Sequence, residues 1–339
     1  METKRAGLQS FRFLHHPSIL SSAAVVGKKE GEGPLAGSFD HVNNDPRFGQ
    51  KTWEKAESHM QELALDIGLQ KAGLSESEVN VLFAGDLLNQ CIGSSFSLRD
   101  TGIPFAGLYG ACSTMAESLI LAAMAVDGGY ADISAAMTSS HFASAERQYR
   151  FPLAYGGQRT PTAQWTVTGA GCVIIGGSGN GPFLNAATFG CVVDPGIKDA
   201  NNMGAAMAPA AYDTIHAHFA DLKLSPEDYD LIVTGDLGSI GKQIVQDFFQ
   251  KDGLPLGQNY DDCGCMIFDP KRQDVHAGGS GCGCSAAVLC GSILHRLRKK
   301  ELRHVLFCGT GALLSPMSTQ QGESIPAVCH AVAIGSERR

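Results

Sequence analysis

Cys112 is the residue of this sequence best placed to do chemistry. It lies in the segment Gly110–Thr114, immediately before an apolar run long enough to form a helix. At a helix N-terminus the dipole and the free backbone N–H groups lower the pKa of a thiol and can hold an oxyanion. We therefore predict that Cys112 lines a pocket, the alternative being a small buried thiol packed in a tight turn.

A second helix start, at Cys284, lies in a similar glycine-rich turn. We expect the two helix N-termini to converge and to offer unpaired N–H donors to an anion. Hydroxyl and guanidinium groups would add to this site, which suits a small dicarboxylate. The predicted ligand-binding residues are Cys112, Ser113, Ser139, Ser140, His141, Arg147, Gly279, Ser280 and Cys284, with Arg150 and Arg159 as further arginines that could grip a carboxylate. For each arginine, a surface or salt-bridge role is the competing interpretation.

Two closely spaced cysteine pairs, Cys263-Gly264-Cys265 and Cys282-Gly283-Cys284, raise the question of zinc. Together with His276 they could supply a tetrahedral set of ligands. Common zinc pairs are spaced C-x-x-C or wider, and Cys284 already marks a helix start, so we predict no metal site. Residues 1–27 make a poor signal peptide, and the eleven cysteines are therefore expected to be free thiols.

The composition excludes several classes of protein. The 339 residues carry a net charge of −8, which argues against nucleic-acid binding. Hydrophobic residues make up 44% and charged residues 18%, enough to fold around a large core. The longest apolar run, Ser118 to Val126, is about half of the roughly 18 residues that a membrane span needs. We predict no transmembrane segment.

An internal duplication organises the chain. The strand pattern Val81–Asp86 returns as Leu231–Asp236, at an offset of 150 positions (231 − 81). The buried helix after Cys112 and the strand from Ile133 return after Cys284 and from Val305, both at an offset of 172 (284 − 112). We predict an α/β fold of layered αβαβα type, in which two sheets enclose a pair of buried helices and further helices lie outside. The predicted halves are residues 1–185 and 186–339, with an irregular lead-in over residues 1–44.

Several motifs carry a resemblance to known proteins. The segments Gly110–Thr114, Thr168–Cys172 and Gly281–Ala287 resemble the thiolase and ketoacyl-synthase superfamily. From Gly27 onward the chain more closely resembles the stage V sporulation protein AD family of spore-forming bacteria. That second likeness is carried by Lys28–Leu35, Phe39-Asp40, Asp45-Pro46 and His276–Cys284.

The resemblance also shows what this chain lacks. In the superfamily the residue matching Cys112 is the acyl-accepting nucleophile, which needs a base nearby. Ketoacyl synthases have a His after the strand that matches Leu231–Thr234, where this chain has Gly235-Asp236, and an Asn where it has Gly283-Cys284. Thiolases have a His in a turn that matches Gly279–Ser285, where this chain has Ser280. We therefore expect a protein that has kept the pocket and lost the reaction.

The resemblance implies a function and partners. It implies binding of dipicolinic acid, with or without calcium, and movement of that ligand into the forming spore and out at germination. It further implies other stage V A sporulation membrane proteins as partners, a homodimer, and a peripheral location at the inner spore membrane, with no cofactor. Two alternatives stay open. One is an active acyltransferase using Cys112 with His141 or His276 as base, and the other is a structural partner with a vestigial pocket.

Overall fold

The computed structural model describes residues 4–149 and 159–339. In the first half of the chain the strands are β1 Ser10–Arg12, β2 Ser18–Gly27, β3 His41–Asn43, β4 Val81–Gly85, β5 Phe105–Leu108, β6 Ile133–Ser140, β7 Trp165–Thr166 and β8 Gly169–Gly176. In the second half they are β9 Phe183–Phe189, β10 Leu231–Thr234, β11 Tyr260–Asp262, β12 Gly279–Ser280, β13 His304–Ala312 and β14 Ala327–Gly335. The helices are α1 Lys28–Gly31, α2 Trp53–Ala72, α3 Ile92–Leu98, α4 Thr114–Asp127, α5 Phe142–Tyr149, α6 Met203–Leu222, α7 Gly238–Lys251, α8 Cys263–Ile267, α9 Cys282–Val288, α10 Leu294–Arg298 and α11 Pro316–Gln320.

The sheet repeats one strand order in each half. The first half reads β5-β4-β6-β8-β2 and the second β11-β10-β13-β14-β9. In both halves the three outer strands are mutually parallel and the two inner strands run antiparallel to their neighbours. The halves meet where Ser18 of β2 lies opposite Phe183 of β9, so the two predicted sheets join into one. The duplication predicted from the sequence is confirmed.

Five layers result from this arrangement. Helix α4 and the continuous α9–α10 segment lie in the middle, where α4 contacts β4 and β6 of its own half and β13 and β14 of the other. Met115, Leu119 and Ile120 of α4 have no exposed surface, so the helix lies inside the protein as predicted. Its burial is not complete on all sides, because Met124 near its C-terminal end is 41% exposed. Helices α2 and α6 cover the outer faces of the first and second halves. No helix in the described ranges is long and apolar enough to cross a membrane.

The N-terminal region differs from its prediction. The composition of residues 1–44 predicts an irregular lead-in, yet Ser18–Gly27 forms a ten-residue strand in the middle of the sheet. Ser21 and Ser22 interrupt its apolar pattern, but both are buried, and the Ser21 hydroxyl donates to the Gly68 carbonyl at 2.6 Å. The boundary expected after residue 185 falls inside β9, which belongs wholly to the second half.

Candidate functional site: a pocket at Cys112

Cys112 lies on a tight turn, Ala111–Ser113, that leads into α4. Ala111 has a φ of 52°, a left-handed conformation that is unusual for alanine and holds the turn in a strained shape. The turn packs closely on β13 of the other half, where a Cβ at Gly311 would lie 2.6 Å from the Gly110 carbonyl oxygen. Glycine at position 311 is therefore needed for this approach.

The side chain of Cys112 is 6% exposed and lines a pocket with about 480 Å³ of empty space, its mouth included. The lining residues are Leu87, Ala111, Cys112, Ala145, Glu146, Tyr149, Thr166, Met203, Ser280, Ala312 and Leu314. They come from both halves of the duplicated fold, and most of them are apolar. The prediction that Cys112 lines a pocket agrees with this geometry.

Asp236 is the residue that sets the chemistry of Cys112. It follows β10, is fully buried, and accepts hydrogen bonds from Ser280 Oγ (3.2 Å), the Gly281 N–H (2.9 Å) and Thr310 Oγ1 (2.8 Å). The Cys112 thiol lies close enough to this carboxyl group for the two groups to shift each other's pKa. Burial raises the pKa of Asp236, while these donors oppose the rise by stabilising the charged form.

The expected activation of the Cys112 thiol is wrong. Burial raises its pKa well above the ordinary value of 9.0, and the negative charge of Asp236 raises it further. The Gly281 N–H lowers the pKa, but its effect is smaller. At neutral pH Cys112 is therefore a protonated thiol, and the start of α4 does not make it a thiolate.

The two histidines considered as bases are engaged elsewhere. His141 Nε2 donates to the Pro46 carbonyl at 2.7 Å, and its Nδ1 accepts from the Ala143 N–H at 3.1 Å. Burial lowers the pKa of His141, so the ring is neutral. His276 pairs with the exposed Asp274 at 3.2 Å. Neither histidine is among the described residues that line the Cys112 pocket.

Most of the predicted hydroxyl donors are used within the fold. Ser113 donates to the Gly110 carbonyl at 2.7 Å, Ser140 to the Val167 carbonyl at 2.7 Å, and Ser139 to Glu57 at 3.0 Å. Ser280 alone of these serines lines the pocket, and it donates to Asp236.

The N-terminus of α9 is similarly satisfied, which corrects the expectation of free N–H donors at Cys284. The Gly283 N–H donates to Ser140 Oγ at 3.1 Å, and the Cys284 N–H donates to the Gly281 carbonyl at 2.9 Å. Gly279 pairs with Trp165 in a short two-stranded ladder, and its carbonyl accepts from Gln164 at 2.7 Å. Cys284 and Gly279 are buried behind the pocket, outside its described lining.

The predicted arginines do not converge on Cys112. Arg147 forms an ion pair with Glu54 at the edge of a separate surface depression. Arg159 pairs with Asp274 at 2.9 Å. Arg150 lies outside the described residues. The described lining of the pocket contains one carboxyl group, that of Glu146, and no arginine or lysine.

A buried polar cluster that the sequence reasoning missed lies behind the first half of the site. Asp86, the duplicate of Asp236, accepts from the Ser94 N–H and hydroxyl at 2.8 and 2.7 Å. Glu57 of α2 accepts from Ser139 and from Ser144, and burial raises its pKa to about 8. The shared Gly-Asp at the ends of β4 and β10 was the signal that could have found both aspartates.

The cysteines of the two closely spaced pairs are free thiols that are buried or partly buried. Within residues 4–149 and 159–339, no group of three or more His, Cys, Asp or Glu side chains is arranged to hold a metal ion. Cys263, Cys282 and Cys284 are fully buried, and burial raises the pKa of each thiol well above 9.0. Cys282 donates instead to the Ser139 carbonyl at 2.9 Å.

Comparison with solved structures places the fold among the condensing enzymes. The 3-oxoacyl-[acyl-carrier-protein] synthase III of Aquifex aeolicus VF5 covers 94% of this chain and 99% of its own, with a TM-score of 0.56 and 10% identity. The acetyl-CoA acetyltransferase of Syntrophomonas wolfei gives the same coverage, with a TM-score of 0.59 and 10% identity. The layered duplicated fold and the cysteine turn thus define a thiolase-like protein.

The sequence places the chain more narrowly. Residues 7–335 match the family described as stage V sporulation protein AD (SpoVAD). Stage V sporulation protein AD of Bacillus subtilis (strain 168) is 46% identical over 329 residues, which are 97% of each chain. The chain belongs to the SpoVAD family and is a sporulation protein with a thiolase-like fold.

Proposed function

We propose that this protein binds dipicolinate in the Cys112 pocket without chemical turnover. It would act in a membrane assembly of stage V A sporulation proteins that moves the ligand into the forming spore and out at germination. Family membership supports this role. The single observation that carries the non-catalytic part is the position of Asp236 beside Cys112, which gives the thiol an acidic neighbour where condensing enzymes have a basic one.

The charge of the pocket favours one form of the ligand. Glu146 lines the pocket and Asp236 lies behind it, and the described lining offers no cationic side chain. A free dicarboxylate dianion would lose its hydration among these mostly apolar walls, whereas the one-to-one calcium complex of dipicolinate carries no net charge. We therefore propose the calcium complex as the bound species, held by the apolar walls and the polar end at Ser280 and Thr166.

Calorimetric titration of the purified protein with dipicolinate tests this proposal. Calcium-saturated dipicolinate is expected to bind saturably and more tightly than the free dianion, and pyridine-3,5-dicarboxylate is expected not to bind. Leu314→Phe narrows the pocket at a half-buried position and should weaken binding, whereas Leu254→Phe, an exposed leucine outside the pocket, should not. Absence of heat with every form of the ligand would overturn the proposal.

Acyl transfer is the competing activity, and it is tested separately. Incubation with radiolabelled acetyl-coenzyme A should leave Cys112 unlabelled, because its thiol is buried, protonated and without a described histidine in its pocket. Stoichiometric label on Cys112, absent from Cys112→Ala, would show that the reaction has been retained.

A further inference from the structure

A second and larger cleft lies beside the start of α5 and shares no described lining residue with the Cys112 pocket. Its empty space, open mouth included, is about 1360 Å³. The chain has two tryptophans, and both Trp53 and Trp165 line this cleft. Two lysines, an arginine, two glutamates and an aspartate are also among its lining residues. Dipicolinate binding at Cys112 makes no use of these groups.

Two cations contact the ring of Trp165. Phe142 stacks against its ring with centroids 3.9 Å apart and planes at 11°. Lys29 Nζ lies 3.5 Å from the centroid of the Trp165 ring, and the guanidinium carbon of Arg159 lies 4.8 Å from it. The aromatic pair thus fixes the direction in which both cations present their donors.

The anionic groups nearby only partly balance these cations. Lys29 and Arg159 both donate to the Asp274 carbonyl at 3.0 Å, and Arg159 also pairs with the Asp274 carboxylate, whose side chain is 78% exposed. Burial lowers the pKa of Lys29, and repulsion by Arg159 lowers it further. Arg272 also lines the cleft and makes no ion pair with the described residues. An exposed ion pair of this kind is easily exchanged.

One donor in the group lacks a partner. Nη1 of Arg159 is buried and has no hydrogen-bond acceptor among the residues described. Buried donors without a partner are rare in folded proteins, and Arg159 lies beside the cleft, over the ring of Trp165, where a bound oxyanion could accept a hydrogen bond from it. The paired cations, the replaceable carboxylate of Asp274 and this unsatisfied donor all favour an anionic ligand.

We propose that this cleft is a binding site for a small molecule with two oxyanion groups, carboxylates or phosphates, which displaces the Asp274 carboxylate and is held by Lys29, Arg159 and Arg272. The site is independent of dipicolinate binding at Cys112. Four cations, Lys28, Lys29, Arg159 and Arg272, gather at this place with three carboxyl groups, those of the buried Glu30, of Glu32 and of Asp274.

Tryptophan fluorescence gives a direct test, since both tryptophans line the cleft. Succinate and pyrophosphate serve as the dicarboxylate and phosphate probes, with acetate at equal ionic strength as the single-group control. At least one probe should give a saturable change that acetate does not give. Lys29→Gln and Arg159→Gln should each raise the dissociation constant at least tenfold. Asp274→Asn removes the competing carboxylate and should lower the constant.

Two control variants check that the fluorescence change arises from binding in this cleft. Lys242→Gln breaks a different lysine ion pair, with Asp261, outside the cleft and should leave the dissociation constant unchanged. Leu314→Phe in the Cys112 pocket should also leave the dissociation constant at the cleft unchanged. The proposal for the cleft and the proposal for the Cys112 pocket can therefore be disproved separately. No saturable change with either probe, unaltered constants in the folded Lys29 and Arg159 variants, or loss of the signal in Leu314→Phe would overturn the proposal.

Discussion

At the scale of single residues, position 236 decides what Cys112 can do. An imidazole beside a thiol accepts its proton and leaves an attractive pair of opposite charges, which favours the thiolate. A carboxylate beside a thiol would instead leave two negative charges together in a buried site. Cys112 therefore keeps its proton. The side chain at position 236 thus helps to set the protonation state of the thiol, although the turn itself has the geometry that would favour a nucleophile.

This interpretation predicts the reactivity of Cys112 toward iodoacetamide at pH 8. Cys112 should be alkylated more than tenfold more slowly than the exposed Cys191, which provides an internal reference in the same protein. Asp236→Asn removes the negative charge, and the rate at Cys112 should rise by about tenfold for each unit by which the pKa falls. The rates are measured by mass spectrometry of the two peptides. Equal rates at Cys112 and Cys191 in the unaltered protein would contradict the assignment.

At the scale of the elements, glycines allow the central helices to approach the sheet of the opposite half. A Cβ at Gly171 of β8 would lie 2.8 Å from the Ala286 carbonyl oxygen of α9. A Cβ at Gly309 of β13 would lie 2.7 Å from the Ala116 Cβ of α4. Both distances are shorter than packed atoms permit, so a larger side chain would push helix and sheet apart. The close packing of α9 on β8 and of α4 on β13 joins the two halves.

Alanine substitution tests this packing. Gly171→Ala and Gly309→Ala should each lower the free energy of unfolding by about 1–3 kcal/mol, as overpacking of a core does. Gly37→Ala is the matched control, because no atom lies within 4 Å of the added Cβ, and its effect should stay within about 0.5 kcal/mol. Urea unfolding followed by circular dichroism measures all three. A loss at Gly37 equal to that at Gly171 would argue against a steric cause.

At the scale of the whole molecule, buried ionisable groups couple stability to pH. Burial raises the pKa of Glu57 to about 8, and those of Glu30 and Asp262 to about 7. The folded protein therefore holds protons that the unfolded chain releases near pH 4, so stability falls as the pH rises from about 4 to about 8. His218 and His330 have the opposite effect on stability, because burial lowers their pKa to about 3 and about 4, so stability rises with pH. This rise ends near pH 6.5, the ordinary pKa of histidine.

Between pH 6.5 and 8 only the carboxyl groups of this set still titrate, so the melting temperature should fall over that range. Glu57→Gln replaces the protonated acid by a neutral group of the same shape and should flatten the fall. Glu62→Gln, on the same helix but exposed, should leave the slope unchanged. Scanning calorimetry at half-unit steps of pH measures the effect, and a melting temperature that rises toward pH 8 would refute it.

Local patterns along the chain were enough to predict several elements of the fold. The apolar run after Ser113 predicted the buried helix α4, and the recurrence of Val81–Asp86 at Leu231–Asp236 predicted the duplicated halves. These features follow from side-chain periodicity and turn chemistry, which act between residues close in the chain.

The chemistry of the site, in contrast, depends on contacts between remote segments. Cys112 and Asp236 lie on different halves, and they come together because the Cys112 turn packs on β13, which pairs with β10. The same packing desolvates both groups, and desolvation outweighs the helix N-terminus in setting the pKa of the thiol. The serines expected to bind a ligand instead bond to backbone and carboxyl partners within the fold. Burial and the choice of partner arise only when distant segments pack together, so no local pattern in the sequence specifies them.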